Sequence, residues 1–316
     1  MGILLNVFLL LLGFVLLVQS AKIFVSSSVE IAKRLKIPTM VIGLTVVAMG
    51  TSAPELVISV SAAVSGSGDL AVANVVGSNI FNLLFIVGFC ALLYPIDVKL
   101  CAIRRDYWVS VAATIALLAL VIIFRNTIPR LGALILLAGF LTYMVVVVRH
   151  TLKHKNEEEE APPDGKKTKP LVLSIILALS GIAVIVGAGQ LTVSSAVKIA
   201  SELGISERVI GLTIVAMGTS LPELVTTLIA CRKKEGEFAL GFIIGSSIFN
   251  IMFVLGLAGL ITPLSIESSV LFDLAVLLIG TLIFFFFAKS SSRVVRIEGL
   301  TMVLMYAAYM TLVIIK

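Results

Sequence analysis

The chain has 316 residues, of which 59% are hydrophobic and only 13% are charged. A soluble protein of this length could not bury so much apolar surface, so the composition predicts an integral membrane protein. The formal net charge of +6 does not indicate nucleic-acid binding, because the basic residues lie at the ends of apolar runs, where they orient membrane spans. The three cysteines have no paired spacing, which argues against a disulfide framework or a zinc site.

Ten apolar runs follow one another along the chain, and each can cross the ~30 Å hydrocarbon core of a bilayer. They are predicted at residues 3–25, 38–64, 70–93, 105–124, 128–148, 171–196, 206–231, 238–261, 266–288 and 294–315. The first and sixth runs are expected to continue as amphipathic helices, since Phe24–Ile37 realigns with Thr192–Ile205. The polar segment between the fifth and sixth runs, residues 149–169, is interpreted as a charged linker.

A duplication relates the two halves of the chain. Residues 41–88 align without gaps with residues 209–256, a shift of 168, and 25 of the 48 positions are identical. Each half contains five spans, and after an odd number of spans the second half begins on the opposite side of the membrane. The sequence therefore predicts an all-α membrane protein with ten transmembrane helices in two inverted five-helix repeats, residues 1–148 and 170–316.

The distribution of basic residues predicts the orientation. The loops after the odd-numbered spans hold 18 lysines and arginines, whereas the other side holds five. By the positive-inside rule, the linker 149–169 is cytoplasmic and both termini are extracellular in a multi-pass cell-membrane protein.

The repeated motifs place one acid in each half. GTSAPE (Gly50–Glu55) and GTSLPE (Gly218–Glu223) both lie inside apolar runs, and both contain a proline that breaks the helical hydrogen bonding. A charged side chain at the bilayer centre costs at least ~2.5–3.5 kcal/mol, so two glutamates in register favour a functional site over packing.

Polar oxygens surround these glutamates in the sequence pattern. Hydroxyls and amides recur at helical spacing in the motifs GSNIFN (Gly77–Asn82) and GSSIFN (Gly245–Asn250), and the prolines free backbone carbonyls. Such an all-oxygen set suits Ca²⁺ or Na⁺, not zinc, copper or iron, and Mg²⁺ sheds water too reluctantly for it. Asp69, Glu237 and Asp273 are expected at helix ends, and the run Phe284–Phe287 is expected to face lipid.

At these motifs the sequence resembles the sodium/calcium exchangers of the cation/calcium exchanger superfamily, in their prokaryotic type. The resemblance implies ten helices, with spans two, three, seven and eight around a midplane site and with long, mobile spans one and six. It implies ligands on the side chains of Thr51, Ser52, Glu55, Ser78, Asn82, Thr219, Ser220, Glu223, Ser246 and Asn250, and on the carbonyls of Ala48 and Ala216. One departure is Ser247, where the usual second motif has asparagine.

The resemblance also implies an activity and its partners. It implies a secondary antiporter that is not an enzyme, with Na⁺ and Ca²⁺ as transported substrates, no resident cofactor and no obligatory protein partner. The proton/calcium exchangers of the same superfamily are an alternative, but their motif usually reads GN-x-x-E, without the Thr-Ser pair. A hydrolase with an acidic dyad is a remote alternative, because such proteases use a pair of aspartates, whereas the two acids of the repeated motifs here are glutamates. A passive channel is disfavoured, since a site that neutralises its ion favours tight occupancy over rapid exit.

Overall fold

The computed structural model describes residues 3–153, 170–203 and 216–315, and most of them are helical. In chain order the helices are α1 (Ile3–Leu35), α2 (Thr39–Thr51), α3 (Ala53–Val64), α4 (Gly68–Leu93), α5 (Leu100–Ile123), α6 (Arg130–Lys153), α7 (Leu171–Glu202), α8 (Ala216–Gly218), α9 (Leu221–Arg232), α10 (Gly236–Ile261), α11 (Val270–Ser291) and α12 (Arg296–Ile315). Four two-residue strands form two antiparallel pairs, β1 (Ile96–Asp97) with β4 (Arg293–Val294) and β2 (Thr127–Ile128) with β3 (Leu264–Ser265). Each pair joins one half of the chain to the other.

The helices confirm a multi-pass membrane protein. Within the described ranges, eight helices are long and apolar enough to cross a membrane, and the bent pair α2–α3 would make a ninth. The predicted span at residues 206–231 begins outside the described residues, which resume at α8. Helix α6 continues to Lys153, so the first five residues of the predicted linker are helical. The rest of the linker, residues 154–169, lies outside the described residues.

Two helices are much longer than a bilayer requires. Helix α1 has 33 residues and α7 has 32, which confirms the expectation that the first and sixth spans continue beyond their apolar runs. The two helices pack along each other, and a Cβ added at Gly181 would lie 3.0 Å from the Cβ of Phe24. Small residues therefore bring the two long helices into close contact.

The helix break predicted at the first glutamate motif is present. Helices α2 and α3 form an angle of 49°, and the residue between them, Ser52, leaves the helical conformation with φ −80° and ψ 12°. Pro54 lies in the first turn of α3, where its missing N–H is tolerated because that donor has no helical partner anyway. The proline therefore starts a new helix in the middle of the span.

Helices α4 and α10 form the centre of the bundle. Burial of their most apolar stretches reaches 78% and 89%, against 17–44% for the other single-helix spans. Each contains a wider π-helical stretch, Phe81–Val87 in α4 and Phe249–Val254 in α10, which the sequence pattern did not predict. These stretches begin one residue before Asn82 and Asn250, and such π-bulges often occur at functional sites.

One expectation about the lipid-facing surface is wrong in part. Phe286 is 69% exposed, as expected for a lipid-facing residue, but Phe284 is only 2% exposed and its ring lies 6.5 Å from that of Tyr107 on α5. A run of four consecutive aromatic residues covers more than one face of a helix, so at least one of them must point inward.

A glycine allows α10 to cross α2 at very short range. A Cβ added at Gly245 would lie 2.6 Å from the Cα of Leu44 and 2.8 Å from its carbonyl carbon. This crossing brings Ser246 to the helix break, where its hydroxyl lies 2.7 Å from that of Ser52.

We therefore expect Gly245→Ala to destabilise the protein by about 1–3 kcal/mol, because the two backbones must separate. The measurement is the thermal midpoint of the detergent-purified protein, which should fall by several degrees. Gly187→Ala is the matched control, since Gly187 is an exposed residue of α7 with no described atom near the added Cβ. Equal midpoints for the two variants would contradict the role of Gly245.

Candidate ion-binding site

The two broken spans place Glu55 and Glu223 in equivalent positions. Glu55 lies in the first turn of α3 and Glu223 in the first turn of α9, each directly after its proline. Ser220 has φ −90° and ψ 10°, close to the conformation of Ser52, so the second half repeats the break. A helix N-terminus favours negative charge, and both side chains are fully buried.

Each glutamate is contacted by a serine from the opposite half. Ser52 Oγ donates to Glu223 Oε1 at 3.2 Å, and Ser220 Oγ donates to Glu55 Oε1 at 3.3 Å. The repeat shift of 168 residues relates the two bonds. The site is therefore shared between the halves, and neither half could form it alone.

A directed chain of hydrogen bonds continues from the first of these serines. Ser52 Oγ lies 2.7 Å from Ser246 Oγ, and Asn82 Nδ2 donates to Ser246 Oγ at 3.5 Å. A carboxylate only accepts, so Ser52 gives its single proton to Glu223, and Ser246 must donate to Ser52. The amide nitrogen of Asn82 is thereby directed to Ser246, and its oxygen points elsewhere.

Several buried oxygens in this region have no hydrogen-bond partner among the residues that the structure describes. They are Glu55 Oε2, Glu223 Oε2, Asn82 Oδ1, Asn250 Oδ1 and Thr219 Oγ1. Buried oxygens without a donor are costly, and several of them together fit a bound cation. In the described part of the chain neither glutamate forms a salt bridge that would neutralise its charge.

The other predicted ligands lie on the same elements. Thr51 is fully buried and donates to the carbonyl of Val47 at 3.1 Å. Ser78 is buried on α4, one turn before Asn82. The carbonyl of Ala48 accepts the backbone N–H of Ser52 at 3.1 Å, and Ala216 is the first residue of α8. The structure thus brings spans two, three, seven and eight together at the predicted residues.

The acids that the sequence pattern assigned to helix ends are found there. Asp69 and Glu237 lie in the first turns of α4 and α10, and Asp273 lies in the first turn of α11. Asp69 accepts the backbone N–H of Glu267 at 2.9 Å, and Glu237 pairs with Lys99 at 2.8 Å.

Sequence reasoning missed one buried acid. Asp106 is 1% exposed on α5, lies 2.8 Å from Arg105 and accepts the hydroxyl of Tyr143 on α6 at 3.1 Å. Its position within an apolar run was the available signal. Its bonds satisfy the carboxylate and join α5 to α6, so it is a structural element and not a ligand.

An amide supports the first glutamate from α4, and the motifs gave no indication of it. Asn74 Nδ2 donates to the carbonyl of Glu55 at 3.3 Å and to Ser59 Oγ at 3.0 Å. The second half has Phe242 and Thr227 at the equivalent positions. Thr227 Oγ1 is buried with no partner in the described ranges. The support of the glutamate-bearing helix therefore differs between the halves.

Comparison with known proteins identifies what the chain is similar to. The model of the sodium/calcium exchanger protein family matches residues 5–149 and 173–315. The protein CaxA of Alkalimonas amylolytica is 38% identical over 311 residues, covering 95% of both chains. The sodium/calcium exchanger MaX1 of Methanosarcina acetivorans is 33% identical, covering 96% of this chain and 97% of that protein. A solved structure of the sodium-calcium exchanger NCX_Mj superposes with a TM-score of 0.86 at 31% identity, over 99% of this chain and 100% of that one.

We expect Asn74→Leu to lower the thermal stability, because Ser59 and the carbonyl of Glu55 lose a donor worth about 0.5–1.5 kcal/mol per bond. The measurement is again the thermal midpoint of the purified protein. The matched control is Thr227→Val, which removes a hydroxyl without a described partner and should be neutral or stabilising. A midpoint for Asn74→Leu at or above that of the unmodified chain would show that the amide does not brace the helix.

Proposed function

Since this chain belongs to the sodium/calcium exchanger protein family, we propose that it is an antiporter that exchanges Na⁺ for Ca²⁺ at a midplane site shared by its two halves. The family consists of transporters, which removes the hydrolase alternative. We infer that the ligands are the side chains and carbonyls that the motifs indicate. They are Thr51, Ser52, Glu55, Ser78, Asn82, Thr219, Ser220, Glu223, Ser246 and Asn250, with the carbonyls of Ala48 and Ala216.

The reciprocal pairing of serine and glutamate is the observation that supports this proposal most strongly. It brings two buried carboxylates to one place, each with a second oxygen that has no described donor. Two ionised carboxylates balance the charge of one Ca²⁺, which takes six to eight oxygen ligands from carboxylates, amides and carbonyls. The neutral hydroxyl and amide oxygens beside them suit Na⁺, which needs less negative charge.

We propose the architecture of two inverted five-helix repeats, residues 1–148 and 170–316, with residues 149–169 as a cytoplasmic linker. The repeat of 168 residues supports it, and so do the equivalent breaks at Ser52 and Ser220.

Alternating access would then involve the long helix α7, which packs against both breaks. A Cβ added at Gly50 would lie 2.7 Å from Ile182, and one added at Gly189 would lie 3.2 Å from Pro222. Displacement of α1 and α7 along this contact would expose the glutamates to one side of the membrane at a time.

The proposal is tested by ⁴⁵Ca²⁺ uptake into proteoliposomes loaded with Na⁺ and diluted into choline. A parallel preparation has equal choline on both sides and an imposed pH gradient of matched size. We expect uptake with the Na⁺ gradient alone. If the pH gradient drives uptake and the Na⁺ gradient does not, the protein is a proton/calcium exchanger instead.

We predict that Glu55→Gln and Glu223→Gln each abolish calcium exchange and leave the protein folded. Removing one charge at about 4 Å from a divalent ion forfeits about 4 kcal/mol per unit charge at an effective dielectric of about 20. The measurement is initial-rate ⁴⁵Ca²⁺ flux, with size-exclusion elution and the thermal midpoint as checks of folding. Glu237→Gln is the matched control, because its carboxylate pairs with the exposed Lys99 and lies outside the proposed set of ligands. Flux near that of the control would show that the substituted glutamate is not a ligand of the transported ion.

The proposed orientation can be tested with a native thiol. Cys101 at the start of α5 is exposed, whereas Cys90 and Cys231 are buried. Positive-inside orientation places this end of α5 in the cytoplasm. We therefore expect a membrane-impermeant maleimide to label the chain only after cells are permeabilised, with Cys101→Ser as the control. Labelling in intact cells would show that Cys101 is extracellular, which contradicts the proposed orientation.

A further inference from the structure

A second amide lies directly behind the proposed ligand Asn250. Asn79 on α4 is fully buried and is not among the proposed ligands. Its Nδ2 donates to the backbone carbonyl of Ser247 on α10 at 3.3 Å, and its Oδ1 accepts from Asn250 Nδ2 at 3.2 Å.

Chemistry fixes the direction of these two bonds. A backbone carbonyl only accepts, so the group of Asn79 that faces Ser247 must be its NH₂. The oxygen of Asn79 then faces Asn250, which can donate a hydrogen bond to it only through its own NH₂. The Oδ1 of Asn250 is thereby turned away from Asn79, and it is one of the buried oxygens without a donor in the described part of the chain.

The equivalent contact is absent from the other half. The repeat relates Asn79 to Ser247, whose hydroxyl donates to the carbonyl of Ile243 within its own helix at 3.0 Å. The amide nitrogen of Asn82 donates instead to Ser246 Oγ at 3.5 Å. The two equivalent amides are therefore held by different groups, a buried amide in one case and a serine hydroxyl in the other.

Resting on the proposed ion site, we propose that Asn79 is a positioning residue that turns the carboxamide oxygen of Asn250 toward the transported cation. A carboxamide that is free to rotate presents either its oxygen or its NH₂, and only the oxygen binds a cation. Asn79 fixes the orientation of the Asn250 carboxamide before the ion binds, so binding costs less conformational entropy. The Asn250 side of the site is the more preorganised of the two.

The test is equilibrium binding of ⁴⁵Ca²⁺ to the purified full-length protein in choline buffer. Asn79→Ser installs the residue of the other half and should raise the Kd about tenfold, within the range of outer-shell substitutions at metal sites. Ser247→Ala is the matched control, because in the described part of the chain its hydroxyl bonds within its own helix, to the carbonyl of Ile243. We expect its Kd to stay within about twofold of the unmodified protein, since outer-shell effects on affinity require a contact to a ligand. Asn79→Ala replaces Asn79→Ser if the serine variant does not yield folded protein.

A double-mutant cycle with Asn250→Ala separates positioning from general stability. If Asn79 acts through Asn250, Asn79→Ser should change the Kd by less than about twofold in the Asn250→Ala background. The same tenfold loss in that background would overturn the proposal. A second result would also overturn it. In that result the two substitutions have non-additive effects on the thermal midpoint without ions, while the Kd of Asn79→Ser equals that of the unmodified protein. Binding at equilibrium does not require Na⁺ coupling, so a failure of sodium-driven flux is a separate result.

Discussion

The burial of two carboxylates side by side is the constraint on which the rest of this structure depends. Removing each charge from water costs several kcal/mol even after relaxation. In the described residues, each carboxylate is compensated by one serine of the opposite half and by the N-terminal end of its own helix. Neither compensation neutralises a full charge. The buried carboxylates therefore require further compensation at this place, which the cations of the proposed site would supply.

The helix breaks and the glycines follow from that requirement. A continuous helix would have no free N-terminus at mid-membrane, so Pro54 and Pro222 start new helices there. Once the spans are broken, their polar ends must be sealed from lipid, and α4, α7 and α10 pack against them. Gly245 permits that approach by leaving no Cβ in the path of Leu44. The π-helical stretches then widen the turn at which Asn82 and Asn250 lie.

The elements that strong local chemistry determines could be predicted from the sequence. Proline and glycine in a twice-repeated motif predicted the breaks. The spacing within one motif could not predict that each serine bonds the glutamate of the opposite half. The π-helical stretches could not be predicted, because they arise from packing between helices and produce no periodic pattern in the sequence. Asn74 was missed for the same reason, since its partner Ser59 lies on another helix, whereas the position of Asp106 within an apolar run was a signal that the sequence did contain. Phe284 was misassigned because its environment depends on where α5 lies.

The two halves of the chain differ in the residues that support the proposed ligands. An inverted repeat with identical halves would surround its ions with equivalent ligands, and every subsite would have the same stiffness. Here Asn74 braces the glutamate of the first half, and Asn79 holds the amide of the second. Both braces lie on α4, whereas α10 has Phe242 and Ser247 at the related positions. Rigid support therefore comes from α4 to both halves of the site. The proposed ligands on the serine side are held by hydroxyl groups, whose rotation would let them reorient when one kind of cation replaces another.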